Sequence, residues 1–120
     1  MSLFLLVLVG VIFPVAFAQA QQLTILSHNG FPDNNEFLPT YHIVGEVQNN
    51  GTSTAKFVQI SATLYDSNNQ VIGTGNAFTN PADIEPSQKA PFEVLVTKDS
   101  VKGGDLSLID HYAVQVSGQS

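Results

Sequence analysis

Three histidines, His28, His42 and His111, are the side chains with the widest chemical reach in this sequence. Imidazoles bind copper and zinc. His42 and His111 each fall opposite the apolar set of a strand pattern, on outward faces expected to belong to different sheets. A metal site shared by the two would then have to bridge the thickness of a sandwich, about 10 Å between sheets. A blue-copper arrangement also needs a thiolate and an axial methionine, and the chain has no cysteine and only the initiator Met1. The second candidates are two acid–amide clusters, Asp33-Asn34-Asn35-Glu36 and Asp66-Ser67-Asn68-Asn69-Gln70. Their oxygens suit calcium. The second cluster starts like an EF-hand loop but lacks glycine at its sixth place and an acid at its twelfth. Both clusters read first as turn formers.

Catalytic constellations are missing at the level of spacing. The sequence has no G-x-S-x-G elbow and no H-E-x-x-H pair, and no serine, histidine and aspartate spacing singles out a triad. The expectation is a protein that is not an enzyme, with no catalytic residue, no cofactor and no committed metal ligand. Asn50-Gly51-Thr52 is a glycosylation sequon on an expected turn, which makes Asn50 a candidate attachment point.

Charge narrows the partners. Ten acidic residues against four lysines, with no arginine, give a net charge of −6, and charged residues are only 12% of the 120. About 25% is usual for a soluble domain. A nucleic-acid binder needs a Lys/Arg footprint on phosphates, so nucleic acid is excluded as a partner. The absence of cysteine removes disulfides, thiol nucleophiles, zinc fingers and iron–sulfur clusters.

The positioning elements begin after an address. Leu3 to Ala18 is an uncharged apolar run ending in small residues, with A-x-A sites at Ala16-Phe17-Ala18 and Ala18-Gln19-Ala20. Residues 1–20 are expected to be a secretory signal peptide cleaved after Ala18 or Ala20. Pro14 keeps the cleavage region extended. No Lys or Arg precedes the run, so a retained anchor is the competing reading, although the run is short of the roughly 20 residues that span a bilayer. No second apolar segment of spanning length follows. Residues 21–120 are then an exported domain, secreted or in the cell envelope, that folds without disulfides.

In that domain the apolar period is two. Tyr41, Ile43, Gly45 and Val47 alternate with polar neighbours, as do Val58, Ile60, Ala62 and Leu64, then Phe92, Val94 and Val96, then Tyr112, Val114 and Val116. Leu23-Thr24-Ile25 is a short start. Val71 to Phe78 is a further strand, in which Gly73 and Gly75 suggest a bulge or an edge. Asn49-Asn50-Gly51 is expected to supply the φ > 0 residues of a tight turn. Asp66 to Gln70 forms a hairpin loop, residues 31–39 and 80–91 are proline-bearing connections, and residues 105–110 hold one short helical turn. About seven short strands over 100 residues predict an all-β sandwich of antiparallel strands.

The residues from Ile43 to Val96 carry a resemblance. Gly45, Val47 and Asn49 end one strand, Leu64-Tyr65-Asp66 ends the next, and Pro86 and Pro91-Phe92 open the return. This stretch resembles the FxLYD family of extracellular immunoglobulin-like domains, with Ala62 at the position of the family's first-named phenylalanine. The resemblance implies an immunoglobulin-like sandwich outside the cell, with no catalytic activity or fixed ligand. Within it, Tyr65 is expected to cover the rim with its hydroxyl in water, Asp66 to start the hairpin as an Asx-turn, and Ile84 to plug the open end.

The sequence thus points to an exported, non-catalytic binding or structural module whose partner is an envelope protein or a polysaccharide. An extracellular metal-binding protein (copper, zinc or calcium) and an accessory domain beside a separate enzyme are the alternatives. The strand Val71–Phe78 carries no lysine or proline to guard an edge, so edge-to-edge self-association through it is a further expectation.

Overall fold

The computed structural model describes residues 22–35 and 37–120. The expected signal segment, residues 1–20, and Glu36 of the first acid–amide cluster lie outside the described residues. Six strands are present: β1 (Leu23–Asp33), β2 (Thr40–Asn49), β3 (Lys56–Tyr65), β4 (Val71–Phe78), β5 (Lys89–Thr97) and β6 (His111–Gln119). They form two antiparallel sheets of three strands, ordered β1-β2-β5 and β4-β3-β6. Among the described residues no helix is long and apolar enough to cross a membrane.

The alternation read from the sequence sets the faces. Ile43 and Val47 of β2, Val58, Ile60, Ala62 and Leu64 of β3, and Phe92, Val94 and Val96 of β5 are buried in one core. Tyr112, Val114 and Val116 of β6 pack against that core while only partly buried. The bulge expected around Gly73 is present: Leu64 pairs with Gly73 but Tyr65 with Val71. The extra residue, Ile72, turns into the core, and Val71 moves to the outer face.

Several expectations need correction. Six strands are found, not about seven. β1 is also far longer than its Leu23–Ile25 start. It runs eleven residues to Asp33, so the connection expected over 31–39 shrinks to 34–39. The pattern hid this because β1 is an edge strand with a bulge after Ile25, and its later inward-side positions carry His28, Gly30 and Pro32 instead of large apolar residues. Gly30 is needed there: a Cβ at that position would lie 2.5 Å from Tyr112 Cε2 and 2.6 Å from the Tyr41 hydroxyl oxygen.

The third correction concerns Asn50-Gly51. Neither residue takes a positive φ; the non-glycine residues that do are Phe57, Asn69 and Ser87. The end of β2 is pinned instead by the fully buried side chain of Asn49. Its Nδ2 donates to the carbonyls of Ser53 (2.9 Å) and Ile84 (2.8 Å), and its Oδ1 accepts from Gly51 N–H (2.8 Å). Ile84 itself is buried and bridges Ala55, so it does plug this end.

At the other end Asp66 Oδ1 accepts from the N–H groups of Asn68 and Gln70, both at 2.9 Å, which is the Asx-turn the sequence predicts. The last long loop holds three single 3-10 turns instead of one, at Lys98–Ser100, Lys102–Gly104 and Leu106–Leu108. Asp105 caps the third.

Candidate binding face

The histidines do not converge. His28 Nδ1 meets the Tyr112 hydroxyl at 2.8 Å across the seam between β1 and β6. His42 lies on the outer face of the first sheet, with Nδ1 at 2.8 Å from Glu93 Oε2, Nε2 at 2.9 Å from Thr40 Oγ1, and its ring stacked on Phe31. His111 lies on the outer face of the second sheet, hydrogen-bonded to Asp110 and Asn69. Its ring stacks on Tyr65 at a centroid distance of 4.9 Å and 8° between planes. Tyr65 therefore belongs to that outer face and does not cover the rim as expected.

Among the described residues no group of three or more His, Cys, Asp and Glu is placed to hold a metal ion. In the acid–amide clusters, Asp66 serves the backbone as above and Asn35 Oδ1 accepts from Phe37 N–H at 2.8 Å, while Asn69 Oδ1 meets His111 Nε2 at 2.9 Å. Asn50 is exposed, and its Nδ2 donates to Thr24 Oγ1 at 2.8 Å, which places the sequon nitrogen at the surface.

The seam at His28 is where burial acts on titration. Burial raises the Tyr41 hydroxyl above its ordinary range, and the neighbouring Tyr112 raises it further. Burial alone raises Tyr112. Asp105 is lowered by its hydrogen bonds from the Ser107 hydroxyl and then the Ser107 N–H. Between the seam and the 3-10 turns, Tyr41, Pro32, Pro39, Leu106 and Ile109 line an open cleft of about 420 Å³.

The two outer faces differ in charge. That of the first sheet carries Asp33, Glu46, Lys89 and Glu93 around His42, by the pairing of β1, β2 and β5. That of the second sheet carries Lys56, opposite Gln119 beyond the last three-strand rung. Its cross-strand rungs run Phe78–Gln59–Ser117, then Asn76–Ser61–Gln115, then Thr74–Thr63–Ala113, then Val71–Tyr65–His111. No Asp, Glu, Lys or Arg occupies these twelve positions, in a chain of net charge −6.

Among the described residues, the side chains of Gln59, Ser61, Thr63, Thr74, Asn76, Gln115 and Ser117 make no hydrogen bond within the protein. Asn49, Asn50, Asp66, Asp105 and His42, by contrast, are all used internally.

Aromatic rings mark both ends of these four rungs. Tyr65 and His111 are stacked at one. At the other, Phe78 is 54% and Phe57 59% exposed. Both line an open groove with Gln59, Ser117, Gly118 and Gln119. Phe57 has φ 52, a left-handed backbone that bulky residues rarely adopt. It sits in the bulge between Lys56 and Gln59, and its N–H donates to Asp83 Oδ1 at 3.1 Å. Strain of order 1–3 kcal/mol is thus held in the residue that puts an aromatic ring in water. The sequence alternation locates the outward positions of β3 and β6. It gives no signal that Phe57 leaves the pattern, because a bulge is invisible to a period of two.

The guard on β4 is partial. β4 pairs with β3 on one side, and on the other Val101 bridges Gly73, while Gly75 approaches Val94 and Val96 of β5. Comparison of the chain with protein families, with curated proteins and with solved structures finds no significant match.

Proposed function

We propose that residues 21–120 are an exported, non-catalytic binding module with an immunoglobulin-like topology, acting in the cell envelope or outside the cell. The strand order supports the topology: β1-β2-β5 and β4-β3-β6 follow the A-B-E and C′-C-F arrangement of such sandwiches. The FxLYD resemblance is consistent with the places of its residues. Asn49 ties β2 to the Ile84 loop, Leu64 is core, Asp66 turns the hairpin, and Phe92 is buried facing Gly45.

The observation that carries the binding role is the outer face of the second sheet, whose four three-strand rungs are uncharged with their polar side chains left unspent, and whose ends carry aromatic rings. Exposed positions on a sheet accept charge freely, so neutrality there is not imposed by packing. The test is retention of envelope extract on the immobilised protein, comparing Ser61→Lys on this face with Val44→Lys on the outer face of the first sheet. Loss of retention with Ser61→Lys alone is the expected result. Equal retention by both variants would refute the assignment of this face.

A further inference from the structure

Among the described residues β6 is the one sheet edge without a guard, and from it we infer that two copies of this chain pair through β6, antiparallel about a two-fold axis, into one continuous sheet β4-β3-β6-β6-β3-β4. An edge strand presents unpaired N–H and C=O groups, and proteins blunt such edges with Lys, Pro, charge or a bulge. Three of the four edges are treated so. β1 is broken by the bulge after Ile25 and carries Pro32. β5 carries Lys89, Pro91 and Glu93. β4 is bulged at Ile72, Val101 bridges it at Gly73, and β5 packs beside it at Gly75. β6 reads HYAVQVSGQ, with no Asp, Glu, Lys, Arg or Pro. The bulge opposite its end belongs to β3, so β6 itself runs nine residues without an insertion. Every second residue turns its N–H and C=O away from β3, and no described strand pairs with that side.

The inner row of β6 is also incompletely covered. Val58, Ile60, Ala62 and Leu64 of the neighbouring β3 are at most 1% exposed, whereas Tyr112, Val114 and Val116 are only partly buried. β1 reaches this row by side chains, His28 on Tyr112 and Leu23 toward Gly118, and not by a backbone ladder. In an immunoglobulin-like order a further strand lies at this place, beside F.

Charge and pattern select a second copy as the occupant. The chain carries −6, so two copies approach most easily where neither brings a carboxylate, and β6 brings none. A basic partner strand would find no carboxylate on it, and an acidic one no cation. The strand also matches itself. With all nine residues overlapped, an antiparallel two-fold sets Tyr112 opposite the partner's Gly118 and Val114 opposite the partner's Val116. Inner residues then meet inner residues, the half-covered valines shield each other, and an aromatic ring covers a strand glycine. A slip of one residue would set the valines against the row of Ala113, Gln115 and Ser117. Each copy uses its β6 once, so the pairing closes at a dimer. This edge is separate from the outer face of the sheet, so the dimer and the binding role stand or fall independently.

The experiment is sedimentation velocity on the protein as secreted, from about 1 µM to about 1 mM. Wild type should pass from monomer to dimer and stop there. In the overlapped register Ala113 faces the partner's Ser117 in two symmetry-related rungs, and both positions are exposed. Ala113→Lys/Ser117→Lys sets lysine against lysine in both rungs and should weaken the dimer about tenfold. Ala113→Lys/Ser117→Glu sets lysine against glutamate at the same positions and should dimerise at least as well as wild type. Thr74→Lys, at an exposed position of the β4 edge, should leave the dimer unchanged. Circular dichroism checks that each variant is folded.

A wild type that stays monomeric to about 1 mM, equal dimer affinity of the Lys/Lys and Lys/Glu variants, or a dimer that Thr74→Lys dissociates would each overturn the pairing. Growth beyond the dimer would overturn it too, because a two-fold through β6 leaves no second β6 to extend from.

Discussion

Asn49 gives the sharpest test of how this sandwich is closed. Its side chain is fully buried and makes three hydrogen bonds, to the carbonyls of Ser53 and Ile84 and from the N–H of Gly51. Each is worth about 0.5–1.5 kcal/mol net. Asn49→Ala should therefore cost about 1.5–4.5 kcal/mol; the Ile84 carbonyl keeps its bond from the Ala55 N–H. For a domain of this size a urea m-value of about 1–1.5 kcal/mol/M turns a loss of about 3 kcal/mol into a midpoint shift of about 2–3 M. Asn50→Ala removes one exposed hydrogen bond to Thr24, and surface changes of that kind stay within about 0.5 kcal/mol.

Asn49→Asp adds a pH signature. The carboxylate keeps the acceptor for Gly51 but turns a second oxygen toward two carbonyls, at a fully buried position. Burial and those dipoles raise its folded-state pKa above the unfolded value of about 3.9. A raised value means stability that is present below about pH 3.9 and lost as pH rises through the folded-state value. The deficit of Asn49→Asp relative to wild type should shrink on acidification, and that of Asn49→Ala should not. Urea melts at about pH 4 and pH 7 read both. Equal midpoints for the Asn49→Ala and Asn50→Ala variants, or an Asn49→Asp protein as stable as wild type at pH 7, would refute the reasoning.

Leu64→Ala should cost about 2–5 kcal/mol in urea melts, and Thr63→Ala well under half of that, because Leu64 is buried and Thr63 faces out; equal losses would mean the register is wrong. Gly30→Ala drives a methyl into Tyr112 and Tyr41 and should cost about 1–3 kcal/mol; an unchanged melting temperature refutes that packing. Tyr41 and Tyr112 are both raised by burial, so their contribution to stability is present below the unfolded value of about 10 and lost as pH rises beyond it. The Tyr41→Phe/Tyr112→Phe protein should lose stability less steeply than wild type in alkaline melts, and parallel curves would count against the shifts. Intact mass of the secreted protein should start at Gln19 or Gln21; a mass that retains Leu3–Phe13 would favour the anchor.

Periodicity exposed the strands that bury large residues on one side and little else. β2, β3 and β5 present Ile, Val, Leu and Phe at every second position, so their faces were legible, and Leu64 and Val94 sit where the alternation puts them. β1 was not legible beyond Ile25. Its continuation is held by backbone pairing to β2, a force that leaves no side-chain pattern, and its inward positions shrink to make room for Tyr41 and Tyr112. Turn propensity is all that the sequence shows at Asn49, whereas its energetic role comes from Ser53 and Ile84, the latter 35 residues away. Asp66 was legible because an Asx-turn is built within five residues. The outward positions were legible too, but not the contrast between the two outer faces, which needs the strand order to know which outward residues share a sheet.

That contrast has no cause in folding. A lysine on an exposed central strand costs little, and edge strands are commonly guarded by one. β4 is flanked by this face, and its free side is bridged at Gly73 alone, so a charge near Thr74 would improve solubility at no structural expense. The same acidic chain places three carboxylates and a lysine on the first sheet's outer face. A face whose four three-strand rungs are uncharged, with Lys56 only at one end and a half-guarded edge beside it, is therefore either indifferent to charge or kept free for an uncharged partner. Ser61→Lys separates the two. Ser61 is exposed and makes no internal side-chain hydrogen bond among the described residues, so the variant should melt within about 0.5 kcal/mol of wild type. Unchanged stability with lost binding assigns the neutrality to recognition. Unchanged stability with unchanged binding leaves the face a solvated surface, and moves the search to the cleft between Tyr41 and Leu106.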